Sequence, residues 1–177
     1  MATIDLIVLG MLKNQSLSAY DIQKLVEYRN ISRWVKISTP SIYKKVLQLE
    51  EKELIRSESV REGNMPEKAV YSLTPAGAAE FEALMVGISA QPLRIFLDLN
   101  AVIVNLDSLP PEKQALCLTN IEGGVATLKK YLEENLRAKK DLPEVPETGL
   151  AVLRQQFILV QAIETWVAEL REGRGRG

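Results

Sequence analysis

Apolar positions recur every three to four residues along most of this chain, and capping residues, proline and glycine separate the runs. Ile4, Ile7, Val8, Met11 and Leu12 make one face of a helix over residues 3–13. Gly10 either weakens that helix or lets another element approach it. Asn14, Gln15 and Ser16 break the pattern. Ser18 and Asp21 then have the spacing of a capping box, which opens a helix to about Arg29 with Ile22, Leu25 and Val26 apolar. Tyr20 reads as a partly buried core aromatic. Residues 30–38 form a linker that carries Trp34. Thr39 and Pro40 offer an N-cap hydroxyl and a proline at the first helical position. Ile42, Val46 and Leu49 give that third helix its inward stripe. Two alternating strands follow, 55–61 and 68–73, around the turn-forming run Glu62-Gly-Asn-Met-Pro66. Thr74-Pro75 repeats the helix start for a segment to about Val86, where Gly77 and several alanines favour close packing.

Gly87 to Pro92 interrupts the pattern and places a domain boundary there: 1–86, then 87–172, then a flexible glycine- and arginine-rich tail over 173–177. Residues 93–106 read as a helix that is apolar nearly all round, hence buried on more than one side. The longest helix starts at Ser108-Leu-Pro-Pro-Glu112 and runs to about Lys140. Leu118, Ile121, Val125, Leu128 and Leu132 form a coiled-coil-like seam along it, with Gly123-Gly124 marking a kink or a close crossing. Pro143 and Pro146 end it. The last helix, about Thr148 to Arg171, carries two stripes: Leu150, Leu153, Phe157 and Val160, then Leu159, Ile163, Trp166 and Leu170. Two stripes predict two partners, the chain's own long helix and a second copy, because an uncovered stripe is a large exposed apolar patch. The expected dimer-interface residues are Leu153, Phe157, Leu159, Val160, Ile163, Trp166 and Leu170.

The fold class predicted is mainly α with a small β-hairpin: a winged helix-turn-helix domain followed by a helical dimerisation domain. In that order of elements the third helix is a recognition helix and the hairpin a wing. Ser41, Lys44, Lys45 and Gln48 recur at i, i+3, i+4 and i+7 and are expected to share the face opposite the inward stripe. Two cations, a hydroxyl and an amide are groups that contact phosphates and base edges. A solvated helix face is the plainer reading of that spacing alone; the capping box before it and the hairpin after it favour DNA.

Charge adds a local asymmetry. The chain is nearly neutral, at −1. From Tyr28 to Leu49, however, no acidic residue occurs, while Arg29, Arg33, Lys36, Lys44 and Lys45 do. A DNA reader needs such a local footprint, not a basic whole. Arg61 and Lys68 flank the hairpin turn. Histidine is absent, which removes Ser-His and Cys-His nucleophile pairs and the usual zinc ligand sets. The single cysteine, Cys117, excludes an intrachain disulfide and fits a reducing compartment. The apolar run Ile4 to Leu12 is too short for a membrane span and lacks a basic leader. A cytoplasmic protein with no cofactor, no metal site and no catalytic residues is the expectation.

Three segments resemble the PadR-like family of bacterial transcription regulators: IVLGMLKNQSLSAYDIQKLVE, STPSIYKKVLQLEEKELI and VYSLTPAGAAEF, together spanning about 4–81. The remainder is similar to the larger subfamily with a helical C-terminal domain. The resemblance implies a dimer on a pseudo-palindromic operator, repression more often than activation, and release by a small molecule. By position, Ser38, Thr39, Ser41, Tyr43 and Lys44 would approach the groove and the wing from Arg61 to Lys68 the backbone. Ala19 stands where the family often has glycine. Lys44-Lys45 also departs from the family pattern, so base preference does not carry over. For a small-molecule effector, Trp34, Phe96, Phe157 and Trp166 are the candidate lining of a cavity between the domains, against plain packing. The alternative function is a winged-helix protein-interaction module without DNA binding, which the balance of eleven basic and eleven acidic residues over 1–86 keeps open. An enzyme is disfavoured for want of histidine, a phosphate loop or a metal-ligand cluster.

Overall fold

Local capping chemistry places the first elements. The structure, a computed structural model, describes residues 2–35, 37, 40–61, 67–143 and 145–175. It divides into two compact units, Met1–Arg94 and Ile95–Gly177. In the first, α1 (Ala2–Leu12) is followed by α2 (Ala19–Tyr28), whose capping box is complete. The Asp21 amide donates to Ser18 Oγ at 3.2 Å, and the Ser18 amide donates to Asp21 Oδ2 at 3.1 Å. A single 3₁₀ turn, Ile31–Arg33, follows Asn30, which sits in the left-handed region at φ 51°. Then come α3 (Pro40–Glu51), β1 (Ile55–Val60), β2 (Lys68–Leu73) and α4 (Pro75–Ser89). The strands pair antiparallel with Ile55 opposite Leu73 and Val60 opposite Lys68. Leu17 adds one bridge on the other side of β2, exchanging both backbone hydrogen bonds with Tyr71 at 2.9 and 3.0 Å.

The core of this unit comprises Val8, Leu9 and Leu12 of α1, Ile22 and Val26 of α2, Ile42, Val46 and Leu49 of α3, and Ile55 and Tyr71 of the hairpin. Each fully buried aliphatic side chain contributes about 1.5–3 kcal/mol. Gly10 serves close packing: a Cβ there would lie 3.1 Å from the Phe81 ring of α4. Thr74 caps α4, accepting from the Gly77 amide at 3.0 Å. Its own amide and hydroxyl both donate to Leu54 O, at 3.1 and 3.0 Å. The end of α3 is thereby fastened to the start of α4. Helix α4 runs through Gly87, where a sequence break was expected, because an exposed glycine lowers helix stability without ending a helix. Tyr20 is exposed, which corrects its reading as a core residue.

The second unit contains α5 (Leu99–Val104), α6 (Pro111–Lys139) and α7 (Glu147–Gly175). Two further expectations are corrected here. Residues 92–97 have no regular structure, and Leu93, Ile95, Phe96 and Val104 lie exposed instead of buried. Helix α7 also extends to Gly175, into the stretch read as a flexible tail.

Helices α6 and α7 pack antiparallel along a heptad seam. Leu118, Val125 and Leu132 are buried on α6, and Leu150, Val160 and Val167 on α7. Lys129 meets Glu164 at 2.6 Å and Glu122 meets Arg171 at 2.9 Å within the same seam, which fixes the register. Leu128, expected in the seam, is exposed. A Cβ at Gly123 or Gly124 would meet nothing within 4 Å, so neither marks a close crossing in this chain.

Candidate nucleic-acid interface

Helix α3 presents three different sides. Ile42, Val46 and Leu49, all nearly inaccessible, face the core. With about 100° per residue, the outward direction is occupied by Lys44 and Leu47. Both are exposed, Leu47 to 47%. Tyr43, 61% exposed, lies toward the hairpin, near Tyr71. Burial, reinforced by Glu50 and Tyr43, pushes the Tyr71 hydroxyl above its ordinary pKa. Glu50 also reaches β1, its Oε1 accepting from the Ser57 amide at 3.1 Å. The recognition helix is therefore tied to the wing by a directional contact.

The predicted quartet is split. Ser41 and Gln48 are half-buried on the flank facing α1, and Lys45 is turned into the molecule. Lys45 Nζ pairs with Asp5 Oδ1 at 2.8 Å, with side-chain exposures of 11% and 17%. This corrects the expectation that Lys45 shares the exposed outer face with Lys44. The reason is geometric: the i, i+3, i+4, i+7 stripe is centred about 110° from the core stripe, not opposite it. Asp5 and Leu47 were the residues missed. A carboxylate inside the apolar run of α1 was a signal for the first, since such a charge needs a partner.

At the hairpin, Arg61 and Lys68 are exposed, and Lys68 lies near enough to Asp21 to help hold its carboxyl below the usual value, after the larger effect of the Ser18 hydroxyl. Arg56 donates to Ser72 Oγ at 3.2 Å and lies 3.8 Å from Glu58. Lys36, Ser38, Thr39 and the turn 62–66 lie outside the described residues.

The four aromatics proposed for an effector are divided between the two units. Trp34, 42% exposed, belongs to the first unit; Phe96, Phe157 and Trp166 belong to the second. Within that unit Phe96 is 82% exposed, while Phe157 packs into the α6–α7 seam. Two open hollows between α6 and α7, about 390 and 270 Å³, are lined by Leu136, Leu150 and Arg154 and by Val125, Glu164 and Val167 among others, with none of the four aromatics. Among the dimer candidates, Leu153, Phe157, Val160 and Ile163 pack in the α6–α7 cluster of the same chain. Leu159 and Trp166 stay on the surface, and Ile163 and Leu170 are intermediate. Among the described residues no group of three or more His, Cys, Asp or Glu could hold a metal, and no helix is long and apolar enough to cross a membrane.

Three helices, a two-stranded wing and an outward-facing third helix define a winged helix-turn-helix protein with a helical second unit. Residues 8–83 match the model of the Transcriptional regulator PadR-like family, so this stretch of the chain is similar to that family's domain. The same fold recurs over nearly the whole length of solved structures. Bacillus subtilis PadR in complex with operator DNA matches at 18% identity and TM-score 0.80, covering 95% of this chain and 96% of that one. The Vibrio cholerae virulence activator AphA matches at 22% and 0.71, covering 98% and 99%. Bacillus subtilis PadR in complex with p-coumaric acid matches at 18% and 0.74, covering 94% and 92%. Curated protein sequences yield no match.

Proposed function

We propose that this protein is a dimeric transcription repressor that reads a pseudo-palindromic operator with α3 and releases it on binding a small molecule. The observation that carries the DNA-reading part is the outward side of α3. It offers Lys44 with Tyr43 and Leu47 beside it and Ser41 and Gln48 on the flank, next to a wing bearing Arg61 and Lys68. Lys44 anchors a phosphate, Tyr43, Ser41 and Gln48 supply hydrogen bonds, and Leu47 offers apolar contact to a thymine methyl. Lys36, Ser38 and Thr39, adjoining α3 in sequence, complete the set. Operator DNA and p-coumaric acid in the structures of Bacillus subtilis PadR support the operator and the effector as classes of partner. AphA, which has the same fold, is described as a virulence activator.

The dimer rests on apolar side chains that one chain leaves uncovered in its second unit: Leu159 and Trp166 on α7, Leu116 and Leu128 on α6, and Phe96. A second copy would present two recognition helices about one DNA turn apart, or a small multiple of it.

The test is the salt dependence of binding. Lys44→Ala should weaken binding to a selected DNA fragment and reduce the slope of log K against log salt by about one. An unchanged slope and affinity would remove Lys44 from the interface. Absence of any salt-dependent DNA binding by the native protein would favour the protein-interaction module.

A further inference from the structure

Helix α3 is held to the core by Ile42, Val46 and Leu49. Contacts of that kind are non-directional and resist separation more than rotation or sliding. Two directional contacts flank them. On one side Glu50 Oε1 accepts from the Ser57 amide of β1 at 3.1 Å. On the other Lys45 Nζ meets Asp5 Oδ1 of α1 at 2.8 Å. Lys45 and Glu50 stand about 140° apart around the helix axis. Together they fix its roll and axial position, and the outward side carrying Lys44 and Leu47 is set by that roll.

Asp5 belongs to the same stripe of α1 as Leu9 and Leu12, both buried. Among the described residues, Asp5 Oδ1 is sealed from water and takes no hydrogen bond apart from its contact with Lys45. A carboxylate oxygen removed from water with one cationic neighbour favours a defined position for that neighbour. The Lys45 stem in turn lies along the flank between Ser41 and Gln48, one turn away on either side.

We propose that the Asp5–Lys45 pair is a positioning device for the recognition helix: Lys45 touches no DNA, and its charge serves to aim the side chains that do. This rests on the DNA-reading function proposed above. It predicts an effect opposite to simple electrostatics. Asp5→Asn removes a negative charge from the DNA-binding unit, so long-range attraction to phosphates rises slightly. Losing the aim of α3, however, degrades base reading.

The experiment uses the full chain and two DNA fragments of equal length: one enriched by the purified protein from random sequence, the other its scrambled counterpart. Fluorescence anisotropy is read across a salt series. For Asp5→Asn, affinity for the enriched fragment should fall about tenfold, the scale of one mispaired base. Affinity for the scrambled fragment should hold or rise, and the salt slope should not change. Lys45→Met should show the same loss of discrimination, again without the unit drop in slope that a lost phosphate contact brings. The double variant should be no worse than either single one, because both remove the same contact. Lys45→Arg, which keeps the charge, should retain most of the discrimination.

Asp5→Asn that tightens or leaves unchanged the binding of both fragments overturns the proposal. So does a Lys45→Met slope lower by one, which makes Lys45 a phosphate contact. If Lys45→Met does not fold, Asp5→Asn and Lys45→Arg decide. A native protein that binds neither fragment fails the DNA-reading function itself, and the positioning role falls with it; native binding with unaltered variants fails the positioning role alone.

Discussion

Replacing Gly77 by alanine should be among the most damaging single-methyl changes in the first unit. A Cβ at Gly77 would run into the carbonyl oxygen of Leu54 and stand 2.9 Å from both the Leu54 carbonyl carbon and Leu73 Cδ1. The oxygen is backbone and already receives the Thr74 amide and hydroxyl, so it has no flexible side chain to yield. Relief requires α4 to lift from the end of α3. Overpacking costs about 1–3 kcal/mol. Each of the two hydrogen bonds weakened by the shift adds roughly 1 kcal/mol. Alanine's better helix propensity returns at most about 1 kcal/mol. The net is a loss of about 2–4 kcal/mol, or roughly 5–15 °C in Tm for a chain of this size. Gly87→Ala is the internal control, because a Cβ there meets nothing within 4 Å inside the same helix. It should stabilise by about 0.5–1 kcal/mol. Urea unfolding followed by circular dichroism measures both. Two alanine variants of equal stability would refute the packing argument, because propensity alone would then account for both.

Leu49→Ala should cost about 2–5 kcal/mol in urea unfolding, since Leu49 is buried under α3, whereas Lys44→Ala should change stability by less than about 0.5 kcal/mol. Asp21→Ala should cost about 0.3–1 kcal/mol at pH 7 through the lost charge at the α2 N-terminus. The Ser18 hydroxyl holds the folded-state carboxyl below its ordinary value. That contribution is complete above the unfolded pKa of about 3.9 and disappears as pH falls through the lower folded value, so native and variant stabilities should converge in strong acid. Leu159→Asp together with Trp166→Asp should halve the mass seen in sedimentation equilibrium; an unchanged mass would move the dimer interface off that side of α7.

The parts of the fold visible in sequence were those written in short-range chemistry. Ser18 and Asp21 announce a cap because both partners lie within four residues, and Thr74-Pro75 does the same for α4. The stripe of Ile42, Val46 and Leu49 identifies the inward side of α3 for the same reason. What spacing does not convey is the identity of a distant neighbour. Lys45 looks like its neighbour Lys44 until Asp5, forty residues earlier, is found beside it. The α7 seam is legible from Leu150 to Val160, but its continuation is not, because Glu164 and Arg171 interrupt the apolar stripe; they belong to it through Lys129 and Glu122, and Val167 continues it. Leu17 opposite Tyr71 is a single bridge and has no periodicity to detect. The apolar run at 93–106 signals surface that needs covering, which hydrophobicity alone does not distinguish from helix.

Sequencing the DNA retained by the purified full-length protein from a random-sequence pool tests the central claim most directly. The prediction is an enriched pseudo-palindrome whose half-site centres lie about 10–10.5 base pairs apart or a multiple of that. Lys44→Ala and Tyr43→Ala should each weaken its recovery. A pool that emerges without any enriched motif, at salt low enough to permit binding, would contradict the reading of α3 as a recognition helix.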